Sequence, residues 1–260
     1  MSCIHIPHIK PDESIEQILS ALLSVIHESL TSKSDIKWQF YNNEKNDLFL
    51  SLLYAFTKTT DVLTEEPELG NSTIAFELND ESISKTIDLI ENNLFKNPNL
   101  SQLRQVVSYL LNELVCNVQQ HSHANVGIIH ASFNKSLNVV DICVADNGIS
   151  IYGSYVNAQK YLEQISNSAE ALAMARKGYS TKNLPNAENR GYGISSNAKM
   201  IVRGLNGTFS ILSDNALFHF TKESEIIEAL SETIVWNGTV VIARIPIAIP
   251  DSFNIYNYIA

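Results

Sequence analysis

Glu113, Asn117 and His121 recur every four residues in the run from Glu113 to His121, so on a helix they lie in one row along a single edge. A carboxylate placed there can orient an attacking water or accept a hydroxyl proton. An amide oxygen one turn on can join the octahedral shell of a magnesium ion whose other ligands are phosphate oxygens and water. His121, at the end of the row, also suits an ordinary helix C-terminus. A second candidate is Asp146 in Asp146-Asn147-Gly148, which closes an apolar run. Its carboxylate can accept a hydrogen bond from the exocyclic amine of a base, with Gly148 allowing close approach of the backbone. Asp-Asn-Gly is equally a turn signal. A third is Arg190-Gly191-Tyr192-Gly193. Glycines ahead of a helix expose backbone N–H groups to an anion, and the helix dipole favours negative charge there. Before it, Ser180, Thr181 and Lys182 offer hydroxyl and ammonium donors for phosphate oxygens. Together these groups are what a pocket for ATP with magnesium requires.

The elements that must position them read as follows. Leu100 to His121 forms one long helix, with Leu103, Val107, Leu110, Leu111, Leu114 and Val118 on its apolar face. Strands over Val126–Phe133 and Leu137–Ala145 flank a turn at Asn134-Lys135-Ser136, and the second strand delivers Asp146. Ile149 to Arg190 is a long lid-like excursion, with a helix over Ser168–Lys177 stopped by Gly178. Gly191-Tyr192-Gly193 leads into a helix over Ile194–Arg203. Strands at Gly207–Leu212, Ala216–Phe220 and Gly238–Ile245 complete the sheet, with a short helix expected over Glu223–Leu230.

Ahead of these, Ser14 to Leu30 places Ile15, Ile18, Leu19, Leu22, Leu23, Ile26 and Leu30 on one helical face. A strand over Ile36–Tyr41 and a helix from Asp47 through Phe56 are expected next. A strand over Ser72–Leu78 and a helix over Glu81–Phe95 follow. Asn97-Pro98-Asn99 breaks the chain, which divides it into a small α/β N-terminal region over 1–98, of regulatory or partner-binding character, a main domain over 99–250, and a tail over 251–260.

Composition narrows the function classes. The 260 residues carry a net charge of −10, which argues against general nucleic-acid binding. From Arg176 to Arg203, however, six basic residues face one acid, Glu188; the stretch is +5 and the remainder −15. A basic segment in an acidic protein suits a small anion. No apolar run is long enough to span a membrane, and Met1 to Pro7 lacks the basic start and apolar block of a secretory signal, so none is expected. Cys3, Cys116 and Cys143 form neither a metal spacing nor a disulfide framework, so a cytoplasmic location is expected.

In this order the motifs resemble the GHKL ATP-binding family, which includes gyrase-type ATPases, heat-shock chaperones, mismatch-repair ATPases and histidine kinases. The likeness runs from Ser101 to Pro246. Glu113-x-x-x-Asn117 resembles the family's N box and Asp146-x-Gly148 its first glycine box. Gly178 to Lys182 and Arg190 to Gly193 resemble the lid and second glycine box. Gly238-Thr239-Val240 is similar to a closing strand whose threonine lies near adenine. The resemblance implies a Bergerat-type two-layer α/β sandwich with a mixed, mostly antiparallel sheet. It also implies ATP and Mg2+ as ligands. Asn117 would hold the magnesium, Asp146 and Thr239 would sit at the base, Lys182, Arg190 and the glycines would face the phosphates, and Glu113 would be the catalytic base. Ser195 stands where a fuller histidine-kinase version carries another glycine. His27-Glu28 lacks the arginine and proline that follow a phosphoacceptor, and reads as a helix-surface histidine. The expected activity is transfer of the γ-phosphoryl group to a partner protein in signal transduction, as in histidine kinases or anti-sigma kinases. A slow magnesium-dependent ATPase switch and a non-catalytic nucleotide-binding module are the alternatives. Oligomeric state is not specified.

Overall fold

The computed structural model describes residues 3–5, 37–39, 71–124, 126–135, 137–181, 192–229 and 236–258. Strands β1 (Cys3–His5) and β2 (Lys37–Gln39) form a small parallel pair. The helices expected over Ser14–Leu30 and Asp47–Phe56 lie outside the described residues, as does His27.

The main body is mixed α/β, with a seven-stranded antiparallel sheet and five α-helices among the described residues. Its strands are β3 (Asn71–Glu77), β4 (Val126–Asn134), β5 (Val139–Asp146), β6 (Thr208–Asp214), β7 (Ala216–Phe220), β8 (Glu225–Ala229) and β9 (Trp236–Pro246), in spatial order β3-β4-β5-β9-β6-β7-β8. The last strand in sequence is therefore a central one, between β5 and β6.

Strand periodicity sorts side chains onto two faces. On the front face, register aligns Ile129 with Val144, Val144 with Val241, and Val241 with Ile211. These residues share a core with helices α1 (Asp80–Leu94) and α2 (Arg104–His121) and with the π-helical turn Met200–Gly204. Helix α1 begins where the Asn79 side chain accepts from the Ser82 N–H, with Asp80 and Glu81 in its first turn. It buries Ile87, Ile90 and Leu94.

Several expectations are corrected. The chain division at residue 98 falls within one sheet and one core, because β3 pairs with β4 along its whole length and α1 packs beside α2. Asn97-Pro98-Asn99 is not a linker but the start of a 3₁₀ turn over Pro98–Leu103, in which the Asn97 side chain accepts from the Asn99 N–H. That turn delays the start of α2 to Arg104. The tail set apart from residue 251 packs into the same core: Ile255 is buried, and Phe253 and Tyr258 stack at 5.9 Å beside Gly204. The helix expected over Glu223–Leu230 is instead β8, an edge strand pairing residue for residue with β7. The Thr221 hydroxyl accepts from the Glu223 and Ser224 N–H groups, turning the chain into a hairpin before a helix can start.

Candidate functional site

A pocket of about 390 Å3 opens between the front of the sheet and the helices, within the range of small-molecule sites. Its floor comes from β5 and β9. Val144, Asp146, Thr239 and Val241 all point to the front and line it. One wall is α2, which contributes Glu113, Asn117 and His121 at the spacing expected of them. Tyr109, one turn earlier in the same row, joins them. It was not among the expected site residues, although extending the four-residue spacing backward would have reached it. Burial first and the Glu113 carboxylate second push the Tyr109 hydroxyl up to about 12, so it stays a neutral hydrogen-bonding group.

The floor is held by backbone packing. The Asp146 Oδ1 accepts from the Gly148 N–H at 2.9 Å, and the Thr239 N–H also bonds the carboxyl. Trp236 Nε1 donates to the Asp146 carbonyl at 2.9 Å. Asp146 is 2 % exposed, and burial raises it to about 7 against the lowering effect of those two N–H donors. A carboxyl so poised is suited to a partner that brings its own hydrogen-bond donor. The two glycines around it are dictated by space. A Cβ at Gly238 would lie 2.1 Å from the Asp146 carbonyl oxygen and 2.5 Å from its Oδ1; one at Gly148 would lie 2.0 Å from the Ser122 carbonyl oxygen. Gly148 thus supports Asp146 from the end of α2 rather than lining the cavity itself. Ser213 is the cross-strand neighbour of Thr239, with hydroxyls 3.1 Å apart, and also accepts from the Ile151 N–H.

Helix α5 (Tyr192–Lys199) closes the site opposite the floor. Gly193 lies inside its first turn, where the expectation had it ahead of the helix. A Cβ there would sit 3.2 Å from Glu113 Oε2 and 3.3 Å from Asn117 Nδ2, so the bare backbone of α5 rests against the two polar groups of α2. Tyr192 opens α5. Lys182, Arg190 and Gly191 lie outside the described residues.

The remaining wall runs from Ile149 to Thr181. No regular element was expected in it before Ser168, but it holds helix α3 (Ile151–Ala158) as well as α4 (Ser168–Arg176). Helix α3 was hard to foresee because Ile151, Tyr152, Gly153 and Val156 are weak helix formers. Its one local signal is Ser150, whose side chain accepts from the Gly153 N–H as an N-cap. Gly178, at φ 91°, ends the α4 segment as expected. Hydroxyls then join this wall to α2: Ser154 Oγ lies 3.1 Å from Thr181 Oγ1, which lies 3.0 Å from His121 Nδ1. The Tyr155 hydroxyl donates to the Tyr179 carbonyl, and Asn157 meets His123 Nε2 at 3.1 Å. Ser180 and Thr181 line the pocket beside them.

The structure thus brings Glu113, Asn117, Asp146, Ser180, Thr181, Gly193 and Thr239 around one cavity from five separate stretches of chain. Among the described residues no three His, Cys, Asp or Glu side chains converge to hold a metal by themselves. An ion at Asn117 would need oxygens from a ligand, as a magnesium carried by phosphates has. No helix among the described residues is long and apolar enough to cross a membrane. No protein-family model matches the sequence, and no curated protein matches it significantly.

Proposed function

We propose that this pocket binds ATP with magnesium and that the protein is a phosphotransferase of the GHKL type, passing the γ-phosphoryl group to a partner protein. The observation that carries the reading is the meeting of Glu113 and Asn117 with the backbone of Gly193, in a cavity whose floor presents Asp146. A single antiparallel sheet with helices across its front and the cavity between them also fits a Bergerat-type sandwich.

The adenine amine would donate to Asp146, with Thr239 alongside. The triphosphate would extend toward the start of α5, where the N–H groups of the first turn face an anion. Ser180, Thr181 and Lys182 would supply donors to its oxygens, with Arg190 and the glycines Gly191 and Gly193. Asn117 would hold the magnesium, which when bound would neutralise negative charge on the phosphates. A partner nucleophile then attacks the γ-phosphorus, the bond to the β–γ bridging oxygen breaks, and ADP leaves. Where the nucleophile is a hydroxyl, Glu113 takes its proton.

Calorimetry with a non-hydrolysable ATP analogue and Mg2+ tests the site. Asn117→Ala should weaken magnesium-dependent binding by about 100-fold or more, on the scale of other lost ligand-orienting groups. Unchanged affinity would remove the assigned metal position and the reading with it. Labelled ATP then separates reaction types: label on a protein supports transfer, whereas free phosphate alone would make the protein a hydrolytic switch.

A further inference from the structure

Part of the back of the sheet is buried as well as the front, which its described neighbours do not explain. An antiparallel sheet with helices on one side normally shows water its other side, and its strands then alternate apolar with polar. Strand β5 is buried at every one of its eight positions. Its back-facing residues include Asp141 at 4 %, Cys143 at 0 % and Ala145 at 0 % exposure. Ile128 and His130 on β4 and Val240 on β9 are equally enclosed. Every described helix packs toward the front: α1, α2 and the π-helical turn through the main core, α4 by Leu172 in that core and by Arg176 over Phe218 and Phe220. The chain end around Ile255 also lies there. What covers the back must come from elsewhere in the chain or from another molecule.

Three stretches of this chain remain. Thr181 and Gly193, which flank residues 182–191 in sequence, both line the front-face pocket. Residues 230–235 are a short link from β8 to β9. Only the seventy residues ahead of β3 are long enough. Within them, Ser14–Leu30 carries the seven-residue apolar stripe. A helix of that length measures about 25 Å. Buried back-face residues run from β4 (Ile128) to β7 (Leu217), five adjacent strands that span roughly 19–24 Å.

We propose that the back face of the sheet is a docking surface for the chain's own Ser14–Leu30 segment, seated by its apolar stripe across β4, β5, β9, β6 and β7. The surface matches an amphipathic occupant. Its centre is apolar, while Asp141 pairs with Arg244 at 2.7 and 2.9 Å and Ser210 meets His219 at 2.8 Å toward its margin. The consequence is positional. Cys143 and Ala145 face the segment, and Val144 and Asp146, their neighbours in β5, face the pocket. The N-terminal region and the pocket therefore share one strand, back to back. This inference holds whether or not the pocket takes a nucleotide.

Thiol labelling of the full chain tests it, in a Cys3→Ser, Cys116→Ser background that leaves Cys143 as the single thiol. Native Cys143 should react slowly, and Leu19→Asp with Leu22→Asp should speed its reaction by at least roughly tenfold through local opening, with the β-sheet circular dichroism retained. An unchanged rate in that variant would overturn the proposal. So would protection in the parent that falls on dilution from about 100 µM to about 1 µM, since a second copy would then be the cover. A photo-cross-linking amino acid at Ile242, also on the back face, gives a second reading should the charged variant not fold. Links to residues 14–30 support the docking, and links only elsewhere overturn it.

Discussion

The floor of the pocket and its outer wall are built on opposite principles. Around Asp146, main chain packs against main chain: Gly148 against the Ser122 carbonyl, Gly238 against the Asp146 carbonyl, and the Gly148 and Thr239 N–H groups on the carboxyl. Across the cavity, the segment from Ser150 to Thr181 is joined to α2 and the residues just after it by side-chain bonds, from Thr181 to His121 and from Asn157 to His123. Backbone contacts in a closely packed sheet have almost no room to adjust. Side-chain hydrogen bonds near water each contribute about 1 kcal/mol and exchange readily with solvent. The pocket thus has a side that fixes position and a side that can yield, as a site that must both select a ligand and release it requires.

The contrast predicts a steep gradient of mutational effects. The largest should follow Gly238→Ala, whose new Cβ meets immovable backbone; denaturant titration should show a loss of about 3 kcal/mol, at the upper end for overpacking. A loss under about 1 kcal/mol would mean the floor is softer than its contacts suggest.

Next comes Asp146→Asn, which separates function from stability. The Asp146 carboxyl is raised to about 7 in the fold, above the 3.8 of an exposed carboxyl, so its favourable contribution is full at low pH and is lost as pH rises through about 7. The amide variant should match the parent near pH 4 and exceed it by about 2 kcal/mol at pH 8, a discounted reading of the shift. Its nucleotide affinity should fall roughly 30-fold, as for a lost hydrogen bond to a charged group. Equal stability of the two proteins at pH 8 would contradict the buried, raised carboxyl.

Gly193→Ala is intermediate. Alanine favours a helix by about 1 kcal/mol over glycine, so the thermal midpoint should hold or rise slightly. The Cβ nevertheless presses on Glu113 and Asn117, and turnover should drop about tenfold as those groups shift. The smallest effect belongs to the wall. Thr181→Val keeps the shape and removes the hydroxyl between Ser154 and His121. It should change stability by no more than about 0.5 kcal/mol and ligand affinity by a few-fold, seen in the dissociation rate. An effect as large as that of Gly238→Ala would erase the distinction between floor and wall.

The placement of the residues around the cavity was more legible than the frame that holds them. The row on α2 was visible because a helix converts a four-residue spacing directly into alignment, and Asp146 because an apolar strand ended there. Thr239 was reached through the family resemblance, since nothing local in Gly238-Thr239-Val240 distinguishes it from any strand residue. The fold's misreadings have physical causes. In Glu225-Ile226-Ile227-Glu228-Ala229 neither face is well buried, so the edge strand β8 lacks the alternation that marks a strand. Helix α3 forms despite weak propensities because Ser150 caps it and Tyr155 is buried beneath it. The membership of β3 and α1 in the main sheet depends on pairing with a strand some fifty residues later. No local signal carries that information.

The position of β9 has an outcome for how this molecule comes into being. During synthesis β5 and β6 emerge long before the strand that must lie between them. Until Trp236 to Pro246 arrives, each presents a row of unpaired N–H and C=O groups, an open invitation to the wrong neighbour. A polypeptide halted just short of Trp236 would retain Glu113, Asn117, Asp146 and Gly193 in its sequence, yet would have two half-sheets with nothing to join them.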